Sequence, residues 1–185
     1  ELDQITQSKY PDNVAFKAAL PGFLRKLGFS PEKADYIAQY IAVDPARGSG
    51  HAWGSEMMTD VSHLRTRIAE TGMNYKGYNI AVHEFGHNVE QTISLHFVDN
   101  YMLHGVPNTA FTEALAFIFQ KRDLQLLDME NNDPLAEDME TLDICWSLYE
   151  IMGVSLVDMN VWKWMYEHPD ATASELKVAV MAISK

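Results

Sequence analysis

A chain of 185 residues with 47% hydrophobic content is long enough to bury one continuous core. Its 26 acidic against 14 basic residues leave a formal net charge of -12, with no Lys or Arg run interleaved with aromatics and no membrane-length apolar stretch, which argues against a nucleic-acid face and a transmembrane helix. Cys145 stands alone, so neither a disulfide framework nor a thiolate zinc cluster can be built.

Helical periodicity dominates the chain. From Asn13 to Phe29 the apolar Val14, Phe16, Ala19, Leu20, Phe23, Leu24 and Leu27 share one face, and Pro21 is expected to kink or divide it. Ser30-Pro31-Glu32 reads as an N-cap, a first-turn proline and a first-turn acid, predicting a helix to about Val43. Pro45, Gly48 and Gly50 break helices, so Asp44 to Trp53 is expected to turn into an extended edge. Loose alternation from Val61 to Ile68 suggests a short strand.

The 3.6-residue period returns from about Tyr78 through Ile80, Val82, Val89 and Ile93 to near His96, and this helix carries His83-Glu84-Phe85-Gly86-His87. Gly105, Pro107 and Asn108 mark a loop. A second long helix is expected from Asn108 or Thr109 through Phe111, Leu115, Ile118 and Phe119 to Leu126, closed by Asn131-Asn132-Asp133-Pro134. Three more follow: Ala136 to Met152, Leu156 to Glu167, and Ser174 to Ile183 with Thr172 or Ser174 as cap. Cys145, beside Trp146 on an apolar helix, is expected to be a small buried hydrophobe. The fold class is therefore mainly α, with a small extended edge upstream of the His-Glu-x-x-His helix, in a single domain spanning residues 1–185. A soluble chain follows, with a cytoplasmic setting favoured.

His83 and His87 are four positions apart, so on a helix their imidazoles stand one turn apart on one face, where both can reach one metal ion. Glu84 points about a quarter-turn away, too far round to ligate with them but placed to act on a water beside the metal. Catalytic zinc takes three protein ligands and keeps an open position. Glu113, early in the second apolar helix, is the best third ligand. Glu90 is an alternative, but it lies two turns along the same helix; Asp99 and His104 in the loop are weaker competitors.

His83-Glu84-Phe85-Gly86-His87 followed by Phe111-Thr112-Glu113 resembles the thimet oligopeptidase and oligoendopeptidase F family, in which H-E-F-G-H and a downstream F-x-E at this separation supply the zinc ligands. Gly48-Ser49-Gly50-His51-Ala52-Trp53-Gly54 is similar to that family's glycine-containing G-A-W edge, which lies along bound peptide. Carboxypeptidases of the Taq type share the double-histidine helix and a Glu-Gln pair, here Glu90-Gln91. The likeness covers residues 45–125. Ala114-Leu115-Ala116 depart from the Pro-Ser-Gln that follows the glutamate in the oligopeptidases, so internal cleavage and carboxy-terminal trimming both stay open.

The resemblance implies a helical, zincin-like (gluzincin) catalytic domain with Zn²⁺ on His83, His87 and Glu113. Zinc makes a water nucleophilic at neutral pH, and Glu84 takes its proton as general base in peptide-bond hydrolysis. His51, Ala52 and Trp53 are candidate peptide-binding residues; Tyr101 and His104 are candidate donors to the oxyanion. The Gly-Tyr-rich donor segment of the oligopeptidases has no counterpart before Lys185, so the chain reads as a piece of a longer protein. A zinc-containing peptide-binding domain without turnover is the alternative.

Overall fold

The computed structural model describes residues 1–105, 107–129 and 133–185. It is mainly helical with a small sheet, as the sequence predicts, and its contacts fall into two compact units, residues 1–130 and 131–185. No helix among the described residues is long and apolar enough to cross a membrane.

In the first unit α1 (Leu2–Lys9), α2 (Asn13–Lys26) and α3 (Pro31–Gln39) precede β1 (Ile41–Ala46), β2 (His51–Trp53) and β3 (Ser62–Arg67), and α4 (Tyr75–Phe97), α5 (Thr109–Gln120) and α6 (Asp123–Leu126) follow. Short polar side chains open the main helices by accepting a backbone N–H of the first turn: Asp12 from Ala15, Ser30 from Lys33, Asn74 from Gly77 and Asn108 from Phe111. β3 lies centrally, parallel to β1 from Ile41↔Ser62 to Ala46↔Arg67 and antiparallel to β2, with His51↔Arg65 and Trp53↔His63.

Three boundaries in the first unit differ from expectation. The third helix stops at Gln39, because Ile41 and Val43 enter the sheet and are buried there beside β3. α2 runs undivided through Pro21, since Leu20, Phe23 and Leu24 are all locked into the core around it. The second ligand helix ends at Gln120, and α6 restarts at Asp123. Asn131 and Asn132 of the expected stop lie outside the described residues.

An aromatic cluster centres the core and fixes α4 against the N-terminal helices. Tyr78 stacks on Tyr10 with centroids 5.5 Å apart, Phe16 meets Tyr78 edge-on, and Phe23 meets Phe85 at 6.3 Å. On the sheet side Thr66 Oγ1 donates to Gly77 O, tying β3 to the first turn of α4.

The second unit pairs α7 (Ala136–Glu167) with α8 (Ala173–Ile183). α7 is one continuous helix across Gly153 rather than two, and α8 opens with a full capping box between Thr172 and Glu175. Apolar side chains emerge on all sides of α7, and Cys145 is exposed, not buried as its sequence neighbourhood suggested.

Candidate metal centre

α4 buries Tyr78, Ala81, Val82, Phe85 and Val89, which recur at helical spacing and hold that stripe against the core. His83, Glu84 and His87 therefore stand together on the flank of α4 instead of in its apolar stripe. Gly86 brings α5 up to that flank: a Cβ built there would lie 2.8 Å from Ala116 Cα and 3.2 Å from Phe119 Cβ. One turn before Ala116, α5 projects Glu113 toward the histidine pair.

Glu113 bridges the two rings, with His83 Nε2 3.3 Å from Oε2 and His87 Nε2 3.5 Å from Oε1. One donor atom from each residue lies within 4.8 Å of the other two. Tetrahedral zinc, with bonds of about 2.0–2.2 Å, spaces its donors about 3.3–3.6 Å apart. Each histidine meets that separation from a different oxygen of Glu113, so the three side chains are grouped for an ion without standing at its coordination geometry. Side-chain exposure is 16% for His83 and 15% for His87 but 45% for Glu113, so the trio opens to solvent on the glutamate side.

Burial is the largest influence on two groups here. It pushes the Glu84 carboxyl above the ordinary glutamate range, the nearby His83 and His51 pulling down and Glu113 pushing up. It holds His87 below the ordinary histidine value, with Glu113 raising and His83 lowering it. Without metal the pocket thus favours a neutral imidazole at His87, the form a ligand must take.

β2 runs alongside α4 through small residues. A Cβ on Gly50 would overlap Ile80 Cγ2 and stand 3.1 Å from Glu84 Oε1, and one on Gly54 would stand 3.2 Å from Gln91 Cδ. Beside Glu84 lies a cavity of about 310 Å³ walled by the Gly48–Gly50 turn, Arg67, Lys76 and Ile80. His51 and Trp53 alternate to one face of the strand, rings 5.8 Å apart, with the Arg65 guanidinium 5.0 Å from the Trp53 ring centroid; both are exposed. His51 also lies within electrostatic reach of Glu84, and Ala52 pairs with Leu64 between them.

Tyr101 and His104 lie beyond the C-terminal end of α4. Tyr101 occupies a 3-10 turn, Tyr101–Leu103, and is exposed. Its ring meets that of His104, whose Nε2 pairs with Val98 O at 2.7 Å within the same loop. Glu90 stays on α4 with its pKa raised by burial, and Asp99 is exposed; neither belongs to the metal-binding group found among the described residues.

Sequence reading missed the residues behind His83. Its Nδ1 lies 3.0 Å from Gln120 Oε1, Gln120 Nε2 donates to Asn79 Oδ1 at 2.6 Å, and Asn79 Nδ2 donates to Asp123 Oδ2 at 2.7 Å. Tyr75 Oη donates to the same Asp123 oxygen at 2.6 Å, Leu124 N donates to Oδ1 at 2.6 Å, and Tyr78 Oη donates to the Asp123 carbonyl at 2.7 Å. A helical signal was available for two of them: Asn79 is one turn before His83, and Gln120 two turns after Glu113. No protein-family model, no curated protein and no solved structure matches this chain.

Proposed function

We propose that the first unit is the catalytic core of a zinc metallopeptidase that hydrolyses peptide bonds in peptides or oligopeptides. The observation that carries this reading is the grouping of His83, His87 and Glu113 within reach of one ion, with Glu84 alongside and outside that group. A structural zinc is usually closed by a fourth protein ligand, whereas this trio leaves a side open.

Zinc bound there supplies Lewis acidity and lowers the pKa of a water. The chain's own residues do the rest. His83, His87 and Glu113 hold the ion, and Glu84 accepts the proton of the attacking water and delivers it to the leaving amine. Its raised pKa makes it a better acceptor of that proton than an ordinary glutamate. The substrate class comes from the resemblance to oligopeptidases, and the cavity walled by the Gly48–Gly50 turn gives a peptide room beside Glu84.

The test uses zinc-loaded chain, its metal content, and a mixed peptide library read by mass spectrometry. About one zinc per chain and cleaved peptides are expected. Glu84→Gln should keep the metal and lose a factor of about 10² or more in turnover, because the amide cannot take the proton; His87→Ala should lose the metal. Full turnover in Glu84→Gln removes Glu84 from its role. Zinc without cleavage by the unaltered chain leaves the non-catalytic peptide-binding domain, and no zinc after supplementation ends both readings.

A further inference from the structure

We infer that a one-way hydrogen-bond chain from His83 through Gln120 and Asn79 to Asp123 locks His83 in the tautomer with its hydrogen on Nδ1, leaving the Nε2 lone pair aimed at the metal position. The inference rests on the zinc reading for its purpose, but the hydrogen on Nδ1 follows from the hydrogen bonds behind the ring, since Nε2 meets Glu113 at 3.3 Å as an ion-pair contact and Nδ1 meets Gln120 in a hydrogen bond.

An aspartate carboxylate only accepts. Asp123 takes the Leu124 N–H on Oδ1 and the Tyr75 hydroxyl on Oδ2, so Asn79, 2.7 Å from Oδ2, must turn its NH₂ that way. Its carbonyl then faces Gln120 at 2.6 Å, where a second carbonyl would repel it, so Gln120 presents its own NH₂ to Asn79. Gln120 Oε1 is left facing His83 Nδ1 at 3.0 Å, and an oxygen that only accepts requires a hydrogen on that nitrogen. Each amide is oriented by the one before it, so the assignment of oxygen and nitrogen is forced by the network. Nε2, on the far side of the neutral ring, is the atom 3.3 Å from Glu113.

This makes Gln120, Asn79 and Asp123 positioning residues. Asp123 anchors the chain because it is 6% exposed and tied to both tyrosines of the α4 N-terminal turns. Two neutral amides carry its polarity to the histidine without placing a third carboxylate beside Glu84 and Glu113. Outer partners of this kind typically set about 10–100-fold in metal affinity.

Asp123→Asn is the sharpest test, since it keeps the shape and reverses the direction. With its carbonyl still serving Leu124, the new NH₂ faces Asn79; both amides then flip, and Gln120 offers an N–H to Nδ1, favouring the Nε2–H tautomer. Imidazole ¹⁵N shifts of His83, read in the metal-free chain at a pH where the ring is neutral, report the tautomer directly. The Nδ1–H form is expected in the unaltered chain, a shift toward Nε2–H in Asp123→Asn, and a mixture in Gln120→Leu, the second variant should the first not fold. Zinc affinity by chelator competition should fall about 10–100-fold in both. An Nε2–H form in the unaltered chain, or variants whose shifts and zinc affinity match it, overturns the inference. An Nδ1–H form in a chain that takes up no zinc supports the tautomer lock and overturns the zinc reading instead.

Discussion

Glu84 holds its proton more tightly in the fold than in the unfolded chain, because burial penalises its charge more than the two nearby histidines favour it. Between the ordinary value of 4.5 and its raised value, the folded chain binds more protons than the unfolded one, so stability falls as pH rises through that window and the full cost applies above it. His87 acts in the opposite sense: its value is lowered, so the stability it contributes is present above the ordinary 6.5 and is lost as pH falls toward the folded value. Glu84→Gln removes only the first effect. The metal-free variant is expected to melt higher than the unaltered chain at neutral pH, with the gain vanishing well below pH 4.5. Equal melting temperatures at neutral pH would show that Glu84 carries no burial cost. The group that the proposed chemistry needs is thus also one that the fold bears at a cost. At this scale the histidine pair was legible in its one-turn spacing, and Glu113 in its place early in the next apolar helix. The Asp123 network was not legible, since Asn79, Gln120 and Asp123 become partners only once α4, α5 and α6 meet.

The α4–α5 contact sets where Glu113 stands, and Gly86 sets the contact. Alanine in a helix interior is favoured over glycine by about 1 kcal/mol, so on propensity alone Gly86→Ala should stabilise α4. The added Cβ, however, would meet Ala116 Cα at 2.8 Å, and backbone cannot rotate away as a side-chain tip can. Overpacking of this kind costs about 1–3 kcal/mol, which outweighs the propensity gain, and the relief available is for α5 to move off. Gly86→Ala is therefore expected to weaken zinc binding more than it lowers melting, read by chelator competition beside thermal unfolding; unchanged affinity would mean that something else positions Glu113. Element types were legible where packing agrees with local pattern, as at the Ser30 and Asn108 caps and in the Ser62–Arg67 strand. Misreadings came where tertiary partners decide. Ile41 and Val43 suit a helix or a strand, and pairing with β3 makes them a strand. The break before Asp123 coincides with the tyrosine hydroxyls of α4 claiming both its carbonyl and its carboxylate.

Across the whole molecule, the metal-binding trio, the hydrogen bonds behind it and the buried core cluster all lie in residues 1–130. That unit also closes its own end. Lys26 Nζ donates to the Leu126 carbonyl at 2.9 Å and Lys9 Nζ to the Leu127 carbonyl at 2.8 Å, satisfying acceptors that the last turn of α6 would otherwise leave open. Both lysines also pair with Asp128, whose positive φ of 64° turns the chain there. These ion pairs are partly exposed and add little each, but they tie the α6 end to α1 and α2. A chain of residues 1–130 is therefore expected to unfold in one cooperative transition and to bind zinc with the affinity of the full chain, its His83 tautomer included. Calorimetry and chelator competition on the two lengths make the comparison. A broad, non-cooperative melt, or a loss of zinc affinity beyond about tenfold, or 1.4 kcal/mol, would show that residues 131–185 take part in building the site.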